Sequence, residues 1–472
     1  MSYSKQDLLR KIPAVEAVLE DEDLRGRTAD VPRPVVVDAV RTAIDQVRAM
    51  LMEQAADGLH DPDELRRAIV AGAERNIAAA VGPYYRRAIN ATGIILHTAL
   101  GRAVLPRAAM RQINEELAGY SVLQMDLATG LRAKRDARIQ WLLRQLTGAE
   151  AATVVNNNAA ATWIVLNAVA AGREVIVSRG QLVEIGGSFR LPDVMAASGA
   201  KLVEVGTTNK THARDYEQAI SDNTAAILRV HPSNYQIVGF TAEVPLAELV
   251  AIAHKRGLVL IDDVGAGALL DLSPLGLDAG PTLADSIRTG ADLITSSTDK
   301  LIGGPQGGLI LGKAQWVERV RRSPLARIVR AGKLALAALE ATLTLFLDRS
   351  RAAAEVPTLA MLARPLSELA ERARRIADAI RERTAAAEVS VVEGASQMGG
   401  GSLPGQDLPT RLVAIRPLHT SPDVLAARLR QNRPPVLTRI KNDRVLADPR
   451  TLLDGEDELL VEALARVLAE GG

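Results

Sequence analysis

The chain has 472 residues, nearly half of them apolar, with 57 Lys and Arg against 56 Asp and Glu and no cysteine. That length exceeds what one core supports, so two or three domains are expected. The near-zero charge excludes a global basic field for nucleic acid, and the missing thiols exclude disulfides, a thiolate nucleophile and cysteine-ligated zinc or iron–sulfur centres. No apolar run approaches 18 residues and no leader-like segment opens the chain, so a cytoplasmic enzyme without membrane contact is expected.

Residues 1–75 carry helical periodicity, with Leu8, Leu9, Ile12, Val15 and Val18 in one block and Val36, Val40, Ile44, Val47 and Leu51 in the next. Pro32 and Pro34 separate the blocks, which predicts a small helical domain. Glu20, Asp21, Glu22 and Asp23 make this segment acidic, so charge alone does not mark it as an RNA-binding module. Residues 76–104 read as a linker or ordered arm. Within it His97 is balanced between a hydrogen-bonded buried histidine and a site residue, whereas Arg102, following Gly101, is a candidate for holding an anion.

From 105 to 345 strands alternate with helices. Strand-like runs fall at 152–155, 174–178, 201–205, 225–230, 258–261 and 293–295, which predicts a mostly parallel sheet covered on both faces. Ligands in such sheets sit at the carboxyl ends of the strands, and the polar clusters of the chain fall there. Asn156, Asn157 and Asn158 end one strand where a helix of small residues begins, a setting for capping and for phosphate oxygens on free helix amides. The segments Ser178–Arg190 and Val230–Tyr235 follow two other strands. Asp262 and Asp263 close a buried strand, where an ionised carboxylate needs a cation or a protonated ring nitrogen opposite it.

The segment from Thr295 to Gly308 links two apolar runs and carries Lys300, with small hydroxyl residues before it and glycines after it. A lysine in such a loop becomes a nucleophile toward an aldehyde when burial or a nearby cation lowers its pKa; alone it reads more readily as a solvated loop residue, and the rest of the chain reverses that. Residues 307–313 imitate the spacing of a phosphate loop, but Ala314 replaces the required hydroxyl residue, and no dinucleotide or metal-ligand pattern is present. Arg321, Arg322, Arg327 and Arg330 lie before and along a helix predicted to run to Leu347, with Arg327 and Arg330 sharing one face as a surface pair or an anion site. Residues 346–472 read as a smaller α+β domain: a helix through Glu382, strands near 389–392 and 411–415, a glycine-rich loop at 396–402, and a last helix from Glu456 to Glu470.

Together these features resemble the fold-type I enzymes that depend on pyridoxal 5′-phosphate. Five stretches narrow the resemblance: Asn90–Thr98, Val154–Ala161, Ser178–Arg190, Val205–His212 and Asp299–Gly308 look like bacterial selenocysteine synthases, the L-seryl-tRNA(Sec) selenium transferases. The chain departs from that family's usual residues at Ala99, Met125, Pro232 and Ser297–Thr298. The resemblance implies Lys300 as the lysine that bonds the cofactor, Asp263 rather than Asp262 as partner of its ring nitrogen, and Asn157, Asn158 and Ala159 beside its phosphate. It further implies catalytic roles for Asp299, Arg102, Arg327 and Arg330 and an N-terminal domain that grips tRNA(Sec) charged with serine. The implied homo-oligomer is a decamer of five dimers, with Thr207 and Thr208 between dimers. The implied reaction passes through an aminoacrylyl intermediate to selenocysteinyl-tRNA(Sec), with selenophosphate as donor. A lyase for a small amino acid or amino sugar, and a catalytically silent RNA-binding scaffold, are the competing readings.

Overall fold

The computed structural model describes residues 5–52, 61–187, 189–232 and 234–469. Ser188, Ser233 and Glu470, included above in two loops and the last helix, lie outside the described residues. The chain divides into two compact units, Met1–Arg87 and Ala88–Gly472.

In the first unit the two long helices are Arg33–Met52 and Pro62–Val81. The apolar stripe Val36, Val40, Ile44, Val47 and Leu51 is buried against Leu65, Ile69, Ala73 and Ile77. A Cβ on Gly72 would stand 3.1 Å from the Ala43 Cβ, so the glycine lets the helices cross closely. The second of these helices starts from a capping box, Asp61 with Glu64, and has Pro62 in its first turn. It runs to Val81, beyond the expected boundary at 75.

The second unit is built on a seven-stranded sheet: β1 (Ala151–Val155), β2 (Glu174–Ser178), β3 (Lys201–Val205), β4 (Thr224–Val230), β5 (Val259–Asp263), β6 (Leu293–Ser297) and β7 (Gly308–Gly312). The spatial order is β1-β7-β6-β5-β4-β2-β3, with β7 the antiparallel member. Burial alternates residue by residue along the central strands. Ile176, Ile227, Leu260 and Ile294 enter one core, while Val175, Leu228, Ile261 and Leu293 enter the core on the other face. This two-sided burial is why the strands read as unbroken apolar runs.

Beyond it, β8 (Ala387–Met398), β9 (Asp407–Pro417), β10 (Arg439–Lys441) and β11 (Arg444–Ala447) form a second sheet, with Ile94–Ile95 added beside β8. The arm therefore supplies an edge to the C-terminal sheet. Buried Asp448 locks that junction, accepting hydrogen bonds from Ser396 Oγ at 2.8 Å and Thr410 Oγ1 at 2.9 Å, and a Cβ on Gly93 would run into its carboxylate.

Two expectations fail in this region. The helix predicted through Arg327 and Arg330 ends at Arg322, because Pro324 follows and opens a short 3-10 turn; the next helix is Lys333–Leu345. The helix expected from 350 to 382 is three helices, Arg349–Glu355, Pro357–Ala363 and Leu366–Arg383, since Pro357 and Pro365 each interrupt the ladder of backbone bonds. Among the described residues no helix is long and apolar enough to cross a membrane.

Candidate active site

The carboxyl ends of β1, β4, β5 and β6 open into a cavity of about 260 Å³. Its polar wall is formed by Arg102, Asn157, Asn158, Asp263, Asp299 and Lys300, with Val183, Ile185, Phe189 and Val230 as its apolar side. Five of its segments meet here because each follows a strand of the one sheet, β1, β2, β4, β5 or β6, and the arm adds Arg102 as a sixth.

Lys300 is held by its neighbours in sequence. Leu301 and Ile302 are fully buried in the core, and the loop folds on itself through Thr298 N–H to the Gly307 carbonyl at 3.0 Å and Gly304 N–H to the Thr298 carbonyl at 2.8 Å. At 5% exposure, Lys300 has its amine pKa pushed below the ordinary lysine value, first by burial and then by the Arg102 charge, against the pull of Asp299 and Asp263. Arg102 donates to Asp299 Oδ2 at 2.7 Å. It does so from a left-handed backbone, φ +63°, as Leu96 also has at φ +57°. Two non-glycine residues in that region store strain in the loop that delivers the guanidinium.

Strand alternation decides between the two aspartates. Asp263 shares its face with Ile261 and turns toward helix Asn158–Ala170, accepting from Asn158 Nδ2 at 2.9 Å and Thr162 Oγ1 at 3.1 Å. Asp262 points to the opposite core, where Arg229 at 2.9 Å and Ser286 at 2.6 Å satisfy it. Burial raises the pKa of Asp263, whose hydrogen bonds offset this only in part, and among the described residues no Lys or Arg forms an ion pair with it. A protonated ring nitrogen would complete it.

Asn157 caps that helix by accepting from the Ala160 N–H at 2.8 Å, which leaves the first-turn amides facing the cavity. Asn158 Oδ1 is buried there without a partner among the described residues. A buried lysine of lowered pKa, a helix N-terminus, an unpaired strand-end carboxylate and an apolar wall fit pyridoxal 5′-phosphate.

Arg327 and Arg330 are not brought to Lys300 within the chain. Both are exposed, and Arg330 pairs with the end of β1 through a bridge to Val155. It lines a separate cavity with Arg135, Asp136 and Arg321. Burial and the charges of Arg330, Arg132 and Arg327 hold the Arg135 guanidinium below its ordinary pKa, so these arginines form one cationic cluster.

His231 lies in the segment Val230–Tyr235, to which the sequence alone assigns no individual role. His231 stands in the wall between the lysine cavity and a neighbouring one of about 400 Å³, and burial followed by Arg229 lowers its pKa toward the neutral imidazole. Its position directly after β4, one residue beyond the register partner of Asp263, is the signal the sequence offers. His97 lies beside the Arg102 loop with Nδ1 buried and unpartnered among the described residues.

The architecture and the lysine cavity are those of the fold-type I, pyridoxal phosphate-dependent class. The solved structure of D-glucosaminate-6-phosphate ammonia-lyase superposes with a TM-score of 0.56, covering 84% of this chain and 98% of that one at 21% identity, a likeness of fold. The chain belongs to the L-seryl-tRNA selenium transferase family, which matches residues 88–453, and the selenocysteine synthase N-terminal family matches residues 9–48. It is 50% identical over 465 residues to the L-seryl-tRNA(Sec) selenium transferase of Solidesulfovibrio magneticus, covering 98% of both chains. It is 46% identical over 458 residues to that of Geobacter sulfurreducens, covering 97% of this chain and 98% of the relative.

Proposed function

We propose that the chain converts L-seryl-tRNA(Sec) to selenocysteinyl-tRNA(Sec) in the cytoplasm, with selenophosphate as donor. The observation that carries this reading is Lys300: buried, of lowered pKa, beside the Arg102–Asp299 pair and in one cavity with Asp263. The cofactor that these residues fit is pyridoxal 5′-phosphate, held through Lys300, Asp263 and the Asn157–Ala159 turn. When bound it supplies an electron sink for the carbanion at the serine α-carbon.

The chain's own groups handle the protons. Lys300, once its amine is free, removes the proton from serine Cα and delivers it to the β-hydroxyl, which departs as water. Asp299, anchored by Arg102, steers the Lys300 ammonium between those two atoms. The β-carbon, left double-bonded to Cα, then bonds the selenium of the donor while the donor's proton passes through Lys300 to Cα, and water cleaves the selenium–phosphorus bond to release phosphate. Arg327 and Arg330, with Arg132 and Arg135 around them, have the bidentate chemistry for the donor's phosphate. Since they do not line the cavity of their own chain, this reading calls for a second copy to bring them to it, in the decamer of five dimers that the family resemblance implies. The first unit is the proposed tRNA-binding domain.

The test is the absorbance of the cofactor-loaded protein on addition of seryl-tRNA(Sec) or free serine, with Lys300→Ala as control. A visible band absent from the variant and shifted by the charged tRNA alone is expected. A shift with a free small amine and none with the tRNA would instead establish the lyase.

A further inference from the structure

The first unit poses an electrostatic difficulty for a tRNA-binding domain: residues 1–87 hold thirteen Lys and Arg against fifteen Asp and Glu. A unit of that balance repels a polyanion at long range, so its attraction has to be concentrated somewhere. Its last residues supply the place. After helix Pro62–Val81 ends at Gly82, the chain runs through Pro83 into Tyr84, Tyr85, Arg86 and Arg87.

Tyr84 is 87% exposed and Tyr85 94% exposed. They are two of only six tyrosines in the chain. Their rings meet edge to face, with centroids 5.3 Å apart and planes at 90°. Each ring braces the other, and the face of the edge-on partner stays open. Core packing does not account for such a pair, since neither tyrosine belongs to the apolar core of the unit among the described residues. Among the described residues Arg86 has no ion-pair partner and lies over no aromatic ring.

We infer that Tyr84, Tyr85 and Arg86 form an RNA-contacting element of the first unit. An open tyrosine face stacks on an unpaired base of the tRNA, and the guanidinium takes an adjacent phosphate. The chemistry suits a folded RNA. Its helical parts offer shape and phosphates, and its loops offer splayed bases that stack on aromatic side chains whatever their identity. Tyrosine brings that area at low entropic cost, having few rotatable bonds to freeze. The element thus gives an acidic unit a short-range grip that does not depend on net charge. A second copy of this chain is the competing occupant, since tyrosine and arginine also anchor protein interfaces.

This inference rests on tRNA being the substrate carrier. The test measures affinity of the full-length, cofactor-loaded protein for uncharged tRNA(Sec) by filter binding across a series of salt concentrations. Tyr84→Ala/Tyr85→Ala is expected to weaken binding about tenfold or more with the salt slope unchanged, because stacking is not ionic. Tyr84→Phe/Tyr85→Phe is expected to keep wild-type affinity. Arg86→Ala is expected to lower the salt slope by about one, whereas Arg41→Ala, on the exposed side of helix Arg33–Met52, leaves it unchanged. In turnover the alanine pair should raise KM for seryl-tRNA(Sec) and leave kcat at saturation intact. Unchanged affinity in the alanine pair, with the wild type binding normally, overturns the element and leaves the enzymatic reading standing. Affinity lost only together with a smaller particle in sedimentation assigns the tyrosines to a contact between copies and also overturns it. A wild type that binds no tRNA(Sec) removes both.

Discussion

Lys300 sits in a place that works against its own charge, and that has a consequence in the absence of cofactor. Burial and Arg102 hold its folded pKa below the ordinary value of 10.5. Between those two values the unfolded chain binds more protons than the folded one, so folding stability rises with pH through that window. Below the folded pKa the full penalty is present; above the ordinary value it has vanished. Lys300→Met, which removes the ammonium and keeps an unbranched chain of similar length, is therefore expected to stabilise the cofactor-free protein at neutral pH. That advantage should shrink as pH approaches the ordinary lysine value. Urea denaturation at a series of pH values checks this, and a pH-independent difference would show that the cavity does not desolvate the amine. Asp263 is the complementary case: burial raises its pKa, and its hydrogen bonds to Asn158 and Thr162 offset that only in part.

At the scale of elements, the cavity depends on how closely β7 passes the turn that caps helix Asn158–Ala170. A Cβ on Gly308 would run into the Asn157 carbonyl and stand 2.9 Å from the Asn158 nitrogen. The glycine therefore serves close approach at this position rather than an unusual φ, and the strand holds the turn where its amides face the cavity. Gly308→Ala is expected to destabilise by about 1–3 kcal/mol, as overpacking of a well-filled core does. It should also weaken retention of pyridoxal 5′-phosphate, read by dialysis and absorbance, because the displaced turn carries the amides proposed to hold the phosphate. Full stability with unchanged cofactor retention would mean that the turn is not held by this contact. The Lys300 loop has a parallel device: Gly303, at φ +70°, lies where a side chain would strike Val356.

At the scale of the molecule, the division at Arg87–Ala88 separates a helical unit with its own core from the unit holding every residue of the lysine cavity. Residues 88–472 expressed alone are expected to fold, bind pyridoxal 5′-phosphate and show the Lys300-dependent absorbance, while losing about tenfold or more in affinity for tRNA(Sec). Equal affinity in the two forms would move the RNA contact wholly onto the larger unit.

Much of this was legible in the order of residues, since local chemistry and periodicity suffice for it. The buried strands announced themselves as apolar runs, the asparagine turn as a cap, and the lysine loop by its hydroxyl and glycine neighbours. The helix expected through Arg327 and Arg330 fails because Pro324 stops it, a local breaker that the three-residue spacing of the two arginines does not register. Other features depended on which side of an element faces which core. Adjacent aspartates on a strand point to opposite faces, and nothing local says which face carries helix Asn158–Ala170; the packing of that helix made Asp263 the cavity residue and gave Asp262 to Arg229. Likewise Arg102 and Asp299 are 197 positions apart and meet only because the arm and the lysine loop are folded to the same strand ends. Sequence alone determined the strands, the turns and the loop that carries Lys300, since each rests on residues within a few positions of one another. Tertiary structure decided which charges face each other, since burial and pairing depend on distances in space that spacing along the chain does not encode.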